Sequence, residues 1–224
     1  MPFYDRTEAA RLLAEALGAW RGKNPLVLAV PRGAVPMGKI IAERLGGELD
    51  VVLTRKLRAP GNPEYAIGAV DESGWSSVEN RAWSTGATDE YIKRETAEQM
   101  ATMRRRREQY TGVAPPIDPR GRIVIVVDDG LATGSTMIAA LHALRAKDPA
   151  RLICAVPVAP PETVIKVARY CDEIVCLEQP EFFYAVGEFY RDFPQVEDDE
   201  VIDTLRAARG AALKGDSDSG KRLR

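Results

Sequence analysis

In the stretch "RIVIVVDDGLATGST" (Arg122–Thr136), five aliphatic, mostly β-branched residues run straight into two aspartates. An unbroken apolar run without polar alternation is the pattern of a strand buried on both faces, as in the middle of a parallel sheet. Asp128 and Asp129 then emerge together at its carboxyl end. After Gly130 come Leu131, Ala132, Thr133, Gly134, Ser135 and Thr136, and a helical pattern begins at "MIAALHALRA". The unit is strand, acidic pair, small-residue turn, helix amino terminus. Unpaired backbone N–H groups and the positive end of the helix dipole gather at such a turn and favour an anion such as phosphate. Small side chains let that anion reach the backbone, while Thr and Ser hydroxyls add donors. No lysine follows Gly134 and no G-x-G-x-x-G follows the strand, so neither a Walker-type loop nor a dinucleotide fingerprint is present.

Other apolar runs supply neighbours for this strand. The periodicity predicts a helix over 7–19 with Thr7 as cap and Glu8 in its first turn, a strand in "PLVLAV" (25–30), and a helix over 35–45 ended by Gly46 and Gly47. "LDVVLTRKL" (49–57) reads as a second strand. "AIGAVDESG" (66–74) reads as a returning hairpin arm after the turn-rich "RAPGNPEY". Thr88 or Asp89 caps a long polar helix reaching about Tyr110, and the Pro- and Gly-rich "TGVAPPIDPRG" connects it to the central strand. Beyond lie strands at 151–159 and 173–179, separated by the helix "PETVIKVARY", and a closing helix over 198–209. Strands alternating with helices predict an α/β fold with a doubly wound, mainly parallel sheet flanked by helices. Ligands of such sheets bind at the carboxyl ends of strands, where strand order reverses. Residues 1–209 are expected to form one domain, and 210–224 a polar tail of disorder-like composition.

Composition excludes several classes. Hydrophobic residues at 45%, charged residues at 29% and a net charge of -2 are globular values that argue against a nucleic-acid binder. The run Arg104–Arg107 does not reverse this, because consecutive helical residues point about 100° apart and make no single basic face. A solvated or subunit-facing helix is expected there. The amino-terminal "MPFYDRTEAARLL" lacks the apolar core of a signal peptide, and no apolar run approaches the roughly 20 residues that cross a bilayer. A cytoplasmic protein with no membrane partner is expected. Cys154, Cys171 and Cys176, with His142 as the only histidine, do not make a zinc ligand set and read as reduced core or near-core thiols. His142 falls away from the first turn of its helix and is given no catalytic role.

Three further segments carry chemistry. "AVPRGAVP" places Arg32, Gly33 and exposed backbone N–H groups at a second strand end, which suits an anion such as pyrophosphate. "TRKLRAPGNPEYAIGAV" holds Arg55, Lys56 and Arg58 ahead of flexible turn chemistry. "CLEQPEFFYAVGEFYRDFPQV" contains four of the five phenylalanines, Phe182, Phe183, Phe189 and Phe193, with Tyr184 and Tyr190. Those aromatics can stack on a flat heterocycle, pack a lid onto the sheet or bury a dimer face.

"VIVVDDGLATGST" resembles the ribose-phosphate signature of type I phosphoribosyltransferases, and the resemblance extends from about Pro25 to Phe193. It implies that Asp128 and Asp129 face the ribose hydroxyls of 5-phosphoribosyl 1-pyrophosphate. It also implies that Ala132, Thr133, Gly134, Ser135 and Thr136 cradle the 5-phosphate. "AVPRGAVP" stands where that family has its pyrophosphate loop, so Arg32 and Gly33 are expected to bind pyrophosphate beside a cis Pro31–Arg32 bond. The basic segment resembles the family's mobile loop, with Lys56 as the cation on pyrophosphate in preference to Arg55 or Arg58. The aromatic segment stands in the acceptor region, as a hood, with Phe182 and Phe183 as the stacking pair. The implied activity is transfer of the phosphoribosyl group to a small nitrogenous acceptor with release of pyrophosphate. Asp128, Asp129, Lys56 and Arg32 would be its catalytic residues. Mg²⁺ is the implied cofactor, held by Asp128 and Asp129 directly or through ribose or water. Purine, pyrimidine, nicotinate-like and amine acceptors all stay open, and a homodimer would fit the aromatic and long-helix segments. The alternative is a non-catalytic regulator of this fold that senses the donor.

Overall fold

The computed structural model describes residues 3–112 and 115–219, with the backbone alone for residue 111 and residues 210–219. In chain order the elements are α1 (Arg6–Ala16), β1 (Leu26–Ala29), α2 (Val35–Leu45), β2 (Glu48–Val51), β3 (Thr54–Ala59), β4 (Asn62–Asp71) and β5 (Ser76–Val78). There follow α3 (Asp89–Thr111), β6 (Ile123–Val127), α4 (Ser135–Arg145), β7 (Arg151–Val158), α5 (Pro161–Val167), β8 (Glu173–Glu178) and α6 (Asp198–Ser219).

The apolar runs form a five-stranded sheet in the order β2-β1-β6-β7-β8 with every pairing parallel. The chain steps outward from β1 to β2, then returns to the other side of β1 as β6 and continues outward again. Strand order therefore reverses between β1 and β6, which pair from Leu26↔Val124 to Ala29↔Val127. The absence of polar alternation is explained by the two faces. Val27, Ala29, Ile125, Val127, Ile153 and Ala155 pack into one core with α1 and α2. Their neighbours Leu26, Leu28, Val124, Val126, Leu152 and Cys154 pack into a second core with α4. Each fully buried Val, Leu or Ile contributes roughly 1.5–3 kcal/mol of transfer free energy, offset by the entropy of ordering the chain.

The expected strand over 49–57 is two strands in two sheets. β2 ends at Val51 in the parallel sheet, and β3 begins at Thr54 in a separate antiparallel sheet of order β3-β4-β5. Val52 and Leu53 at the corner are both buried, so hydrophobicity runs unbroken through a bend that neither Gly nor Pro marks. The hairpin turn is also tighter than "RAPGNPEY" suggested. Ala59 pairs with Asn62 across Pro60 and Gly61, with Gly61 at φ 70°.

Helix ends follow their caps. The first helix is capped by Asp5, not Thr7, through Glu8 N–H donating to Asp5 Oδ1 at 2.7 Å. α2 stops at left-handed Gly46, and Thr88 caps α3 by accepting from Tyr91 N–H at 3.1 Å. α6 continues to Ser219, so the segment expected to open a polar tail at residue 210 is helical. Its "AALK" favours helix, and residues 220–224 lie outside the described residues. In the arginine run, Arg106 reaches Asp198 on α6 while Arg107 pairs with Glu72 at 2.6 Å, so the guanidiniums disperse into separate contacts. The three cysteines are free thiols, and burial pushes Cys176 up to about 11. Among the described residues no helix is long and apolar enough to cross a membrane.

The amino-terminal segment is tied to the aromatic one. Phe3 N–H donates to Phe189 O, and Arg191 N–H donates back to Phe3 O. This sets the start of α1 over the carboxyl ends of β1 and β6.

Candidate active site

At the reversal of strand order lies a cavity of about 360 Å³, which gathers most of the segments singled out in the sequence. The turn after β1 contributes Pro31, Arg32 and Gly33. β3 contributes Lys56, the end of β6 contributes Asp128 and Asp129, and the turn before α4 contributes Ala132, Thr133, Gly134, Ser135 and Thr136. The Pro31–Arg32 bond is cis, as expected.

The turn is held from outside. Thr163 Oγ1 on α5 donates to Ala132 O at 2.6 Å, and Lys166 Nζ donates to Thr133 O at 3.1 Å. In a planar trans peptide the next N–H points opposite its carbonyl, so Thr133 N–H and Gly134 N–H are aimed away from α5. Gly134 sits at φ 73° as the residue before α4, and a Cβ there would stand 2.8 Å from Val167 Cγ2. Only glycine meets both conditions without strain.

The two aspartates have unequal surroundings. Arg6, the first residue of α1, donates from Nε and Nη2 to Asp129 Oδ2 at 3.0 and 2.8 Å, and from Nη1 to Pro194 O at 2.6 Å. Its guanidinium lies 3.7 Å from the centre of the Phe193 ring. Tyr190 Oη donates to the main-chain oxygen of Asp129 at 2.6 Å. Gly33 comes so close that a Cβ would overlap Asp129 Oδ2. Asp128 accepts from Asp129 N–H at 2.9 Å. Burial, then the neighbouring Asp129 charge, lifts the Asp128 carboxyl well above the usual carboxylate range. Burial also raises Asp129, against the opposing pull of Arg6.

Of the three cations on β3, Lys56 alone lines this cavity. Arg55 donates to Gln99 and Arg58 to Glu95, both on α3. Strict alternation would put Arg55 and Arg58 on opposite faces, but the strand's register shifts at Leu57/Arg58 and turns both toward the helix. Arg32 lines the cavity while its Nη1 pairs with Glu197 at 2.9 Å and stands 3.7 Å from Asp198. Phe182 and Phe183 do not line it. Phe182 is 79% exposed, and Phe183 stacks on Phe189 with ring centres 5.1 Å apart. The segment's contribution to the wall is Val186. A second cavity of about 510 Å³ adjoins at Gly33 and Asp129, with Arg6, Phe193 and Gln195 in its lining.

Arg6 was not foreseen from the sequence. Its one signal is electrostatic: a cation in the first turn of a helix opposes the helix dipole, so such a residue is better explained by a distant anion. Glu79, which follows β5, accepts from Ser135 Oγ at 2.7 Å and was also unforeseen. His142 stacks on Trp75 at 3.8 Å and does not line either cavity. Among the described residues no group of three or more His, Cys, Asp or Glu side chains could hold a metal ion. The acid pair is the remaining carboxylate cluster in the cavity.

These features define a doubly wound α/β protein whose acid-pair cleft lies where strand order reverses. Residues 6–194 match the model of the phosphoribosyl transferase domain, and the chain belongs to that family. It is similar to a Mycobacterium tuberculosis protein, found in two strains, that carries a provisional phosphoribosyl transferase name. Identity is 40% over 222 residues, which is 97% of this chain and 49% of the relative. The chain thus spans about half the length of the curated relatives it matches. It is also similar to the crystal structure of TT1426 from Thermus thermophilus, with 46% identity, a TM-score of 0.78, and 93% and 99% of the two chains covered.

Proposed function

We propose that this domain transfers the phosphoribosyl group of 5-phosphoribosyl 1-pyrophosphate to a small nitrogenous acceptor, releasing pyrophosphate. The observation that carries this reading is the convergence of the small-residue turn, the acid pair, Lys56 and the Arg32–Gly33 loop on one cavity. In the reading, the 5-phosphate sits against the N–H groups and hydroxyls of Ala132–Thr136. The ribose hydroxyls meet Asp128 and Asp129. Cleavage at the anomeric carbon leaves positive charge on the sugar, which the carboxylates support, and negative charge on the departing pyrophosphate, which Lys56, Arg32 and the Gly33 N–H take up. The acceptor enters beside Val186, toward the cavity walled by Arg6 and Phe193, rather than between Phe182 and Phe183. Phe182 faces outward, and Phe183 packs on Phe189 against the core.

Two adjacent carboxylates, with no third such ligand among the described residues, suit Mg²⁺, which is commonly bound by one or two carboxylates together with substrate phosphates and water. Asp128 and Asp129 would hold it with the donor's oxygens, where it adds to the neutralisation of pyrophosphate. The arm bearing Lys56 would close over the donor and keep water from the cationic sugar.

The test is pyrophosphate release from the donor with Mg²⁺ across purine, pyrimidine, pyridine-carboxylate and amine acceptors. One acceptor class is expected to raise release well above the rate with water, and Lys56→Met to lower it at least tenfold. Donor binding without release for any acceptor would favour the sensor reading instead.

A further inference from the structure

The small-residue turn has an anion beside it. Glu79 is placed there by its position after β5 and by its N–H donating to Ile67 O at 2.9 Å. Its Oε1 accepts from Ser135 Oγ at 2.7 Å, and Ser135 Oγ lies 3.0 Å from Thr133 Oγ1. Ser135 is buried, and only 12% of the Glu79 side chain is exposed. The charges facing this carboxylate and the turn are few. Arg81 Nε reaches Glu79 Oε2 at 2.5 Å, Lys166 caps the Thr133 carbonyl, and Lys56 lines the cavity in front. Burial opposes the charge on Glu79, but the Ser135 hydrogen bond and Arg81 hold its carboxyl below the ordinary value.

A Ser or Thr hydroxyl has a single proton to donate. With Ser135 donating to Glu79, and Thr133 Oγ1 within reach of Ser135 Oγ, the protons a bound phosphate needs are committed elsewhere. A phosphate at the turn would also meet the nearby Glu79 carboxylate charge. We propose that Glu79 is a built-in rival anion of the phosphate cradle, holding the Ser135 and Thr133 hydroxyls in the empty site and yielding them to an incoming phosphate. This rests on reading Ala132–Thr136 as that cradle. It adds a determinant of donor affinity that lies in the hairpin sheet, the same sheet that carries Lys56. Phosphate arrival at the turn then breaks one of the contacts between α4 and the hairpin segment, while others, such as Trp75 stacked on His142, stay in place.

The test is calorimetric titration of the whole chain with ribose 5-phosphate, which has the 5-phosphate and no pyrophosphate, for wild type, Glu79→Gln and Glu79→Ala. Thermal melts of each variant check that it is folded. Glutamine keeps the shape and removes the charge, and its amide can donate to the hydroxyls and free their protons. Binding at least about fivefold tighter in Glu79→Gln is expected, with Glu79→Ala also tighter than wild type. Loss of a merely supporting contact could only weaken binding, so this direction separates the two roles. Wild-type binding with Glu79→Gln equal or weaker would overturn the proposal and leave the cradle intact. No binding by the wild type or either folded variant would overturn the cradle reading and the proposal together.

Discussion

Asp128 and Asp129 are adjacent in sequence but differ in what they touch. Asp129 has a cation and two fixed neighbours, whereas Asp128 is half-buried with an amide N–H and a like charge. Its folded-state carboxyl lies above the ordinary 3.8, so the folded chain keeps a proton that the unfolded chain has lost. The stability this contributes is full below the unfolded value and drains away as pH rises through the folded one. Asp128→Asn is therefore expected to raise the melting temperature at neutral pH while weakening donor binding at least tenfold, as read by calorimetry and titration. Arg6→Met leaves Asp129 without its partner in a site where both side chains are mostly covered. A loss of about 3 kcal/mol, or roughly 6–12 °C in melting temperature, is expected, with Arg6→Lys recovering part of it. Gly33→Ala should cost donor affinity at least tenfold, since its methyl meets Asp129 Oδ2. The acid pair was legible because it ends an apolar run in a local motif. Arg6 was not, because 123 residues separate it from its partner and nothing near it marks the pairing.

Among the elements, those with sharp ends were readable and those joined by buried corners were not. The predicted limits of α2 match the structure because Pro36 opens it and Gly46 closes it, whereas β2 and β3 merged because Val52 and Leu53 are apolar and buried through the bend. The hairpin sheet is tied to α3 by Glu95. Burial disfavours its charge, but the side-chain and backbone hydrogen bonds from Arg58 and the bond from Gln99 hold its carboxyl below the ordinary 4.5. The folded chain thus binds fewer protons there than the unfolded one. This contribution is full above the unfolded value and is lost as pH falls through the lower folded one. Glu95→Gln is expected to be less stable than wild type in urea at pH 7 and to lose less on acidification below about 4.5. At the start of α4, Gly134→Ala forces a methyl into a left-handed position against Val167. A cost of about 1–3 kcal/mol is expected in denaturant melts, together with weaker binding of ribose 5-phosphate.

In the molecule as a whole, the parallel sheet was foreseeable from runs without alternation, because both faces of the central strands β1 and β6 are covered and nearly every position there is core. The reversal between β1 and β6 then brings two loops, separated by about a hundred residues of chain, to the same place. The aromatic segment escaped this logic. Its composition indicated stacking, but in the tie between Phe3 and Phe189–Arg191 Tyr190 bonds the Asp129 main chain and Phe193 seats Arg6, leaving Phe182 exposed. The proposed function puts the donor in the cavity at the reversal. It is tested most directly by calorimetric titration of the wild type and Thr133→Asp with 5-phosphoribosyl 1-pyrophosphate, with and without Mg²⁺. Binding is expected to strengthen with Mg²⁺ and to disappear in folded Thr133→Asp. A folded wild type that does not bind, or a folded variant that binds equally well, would contradict it.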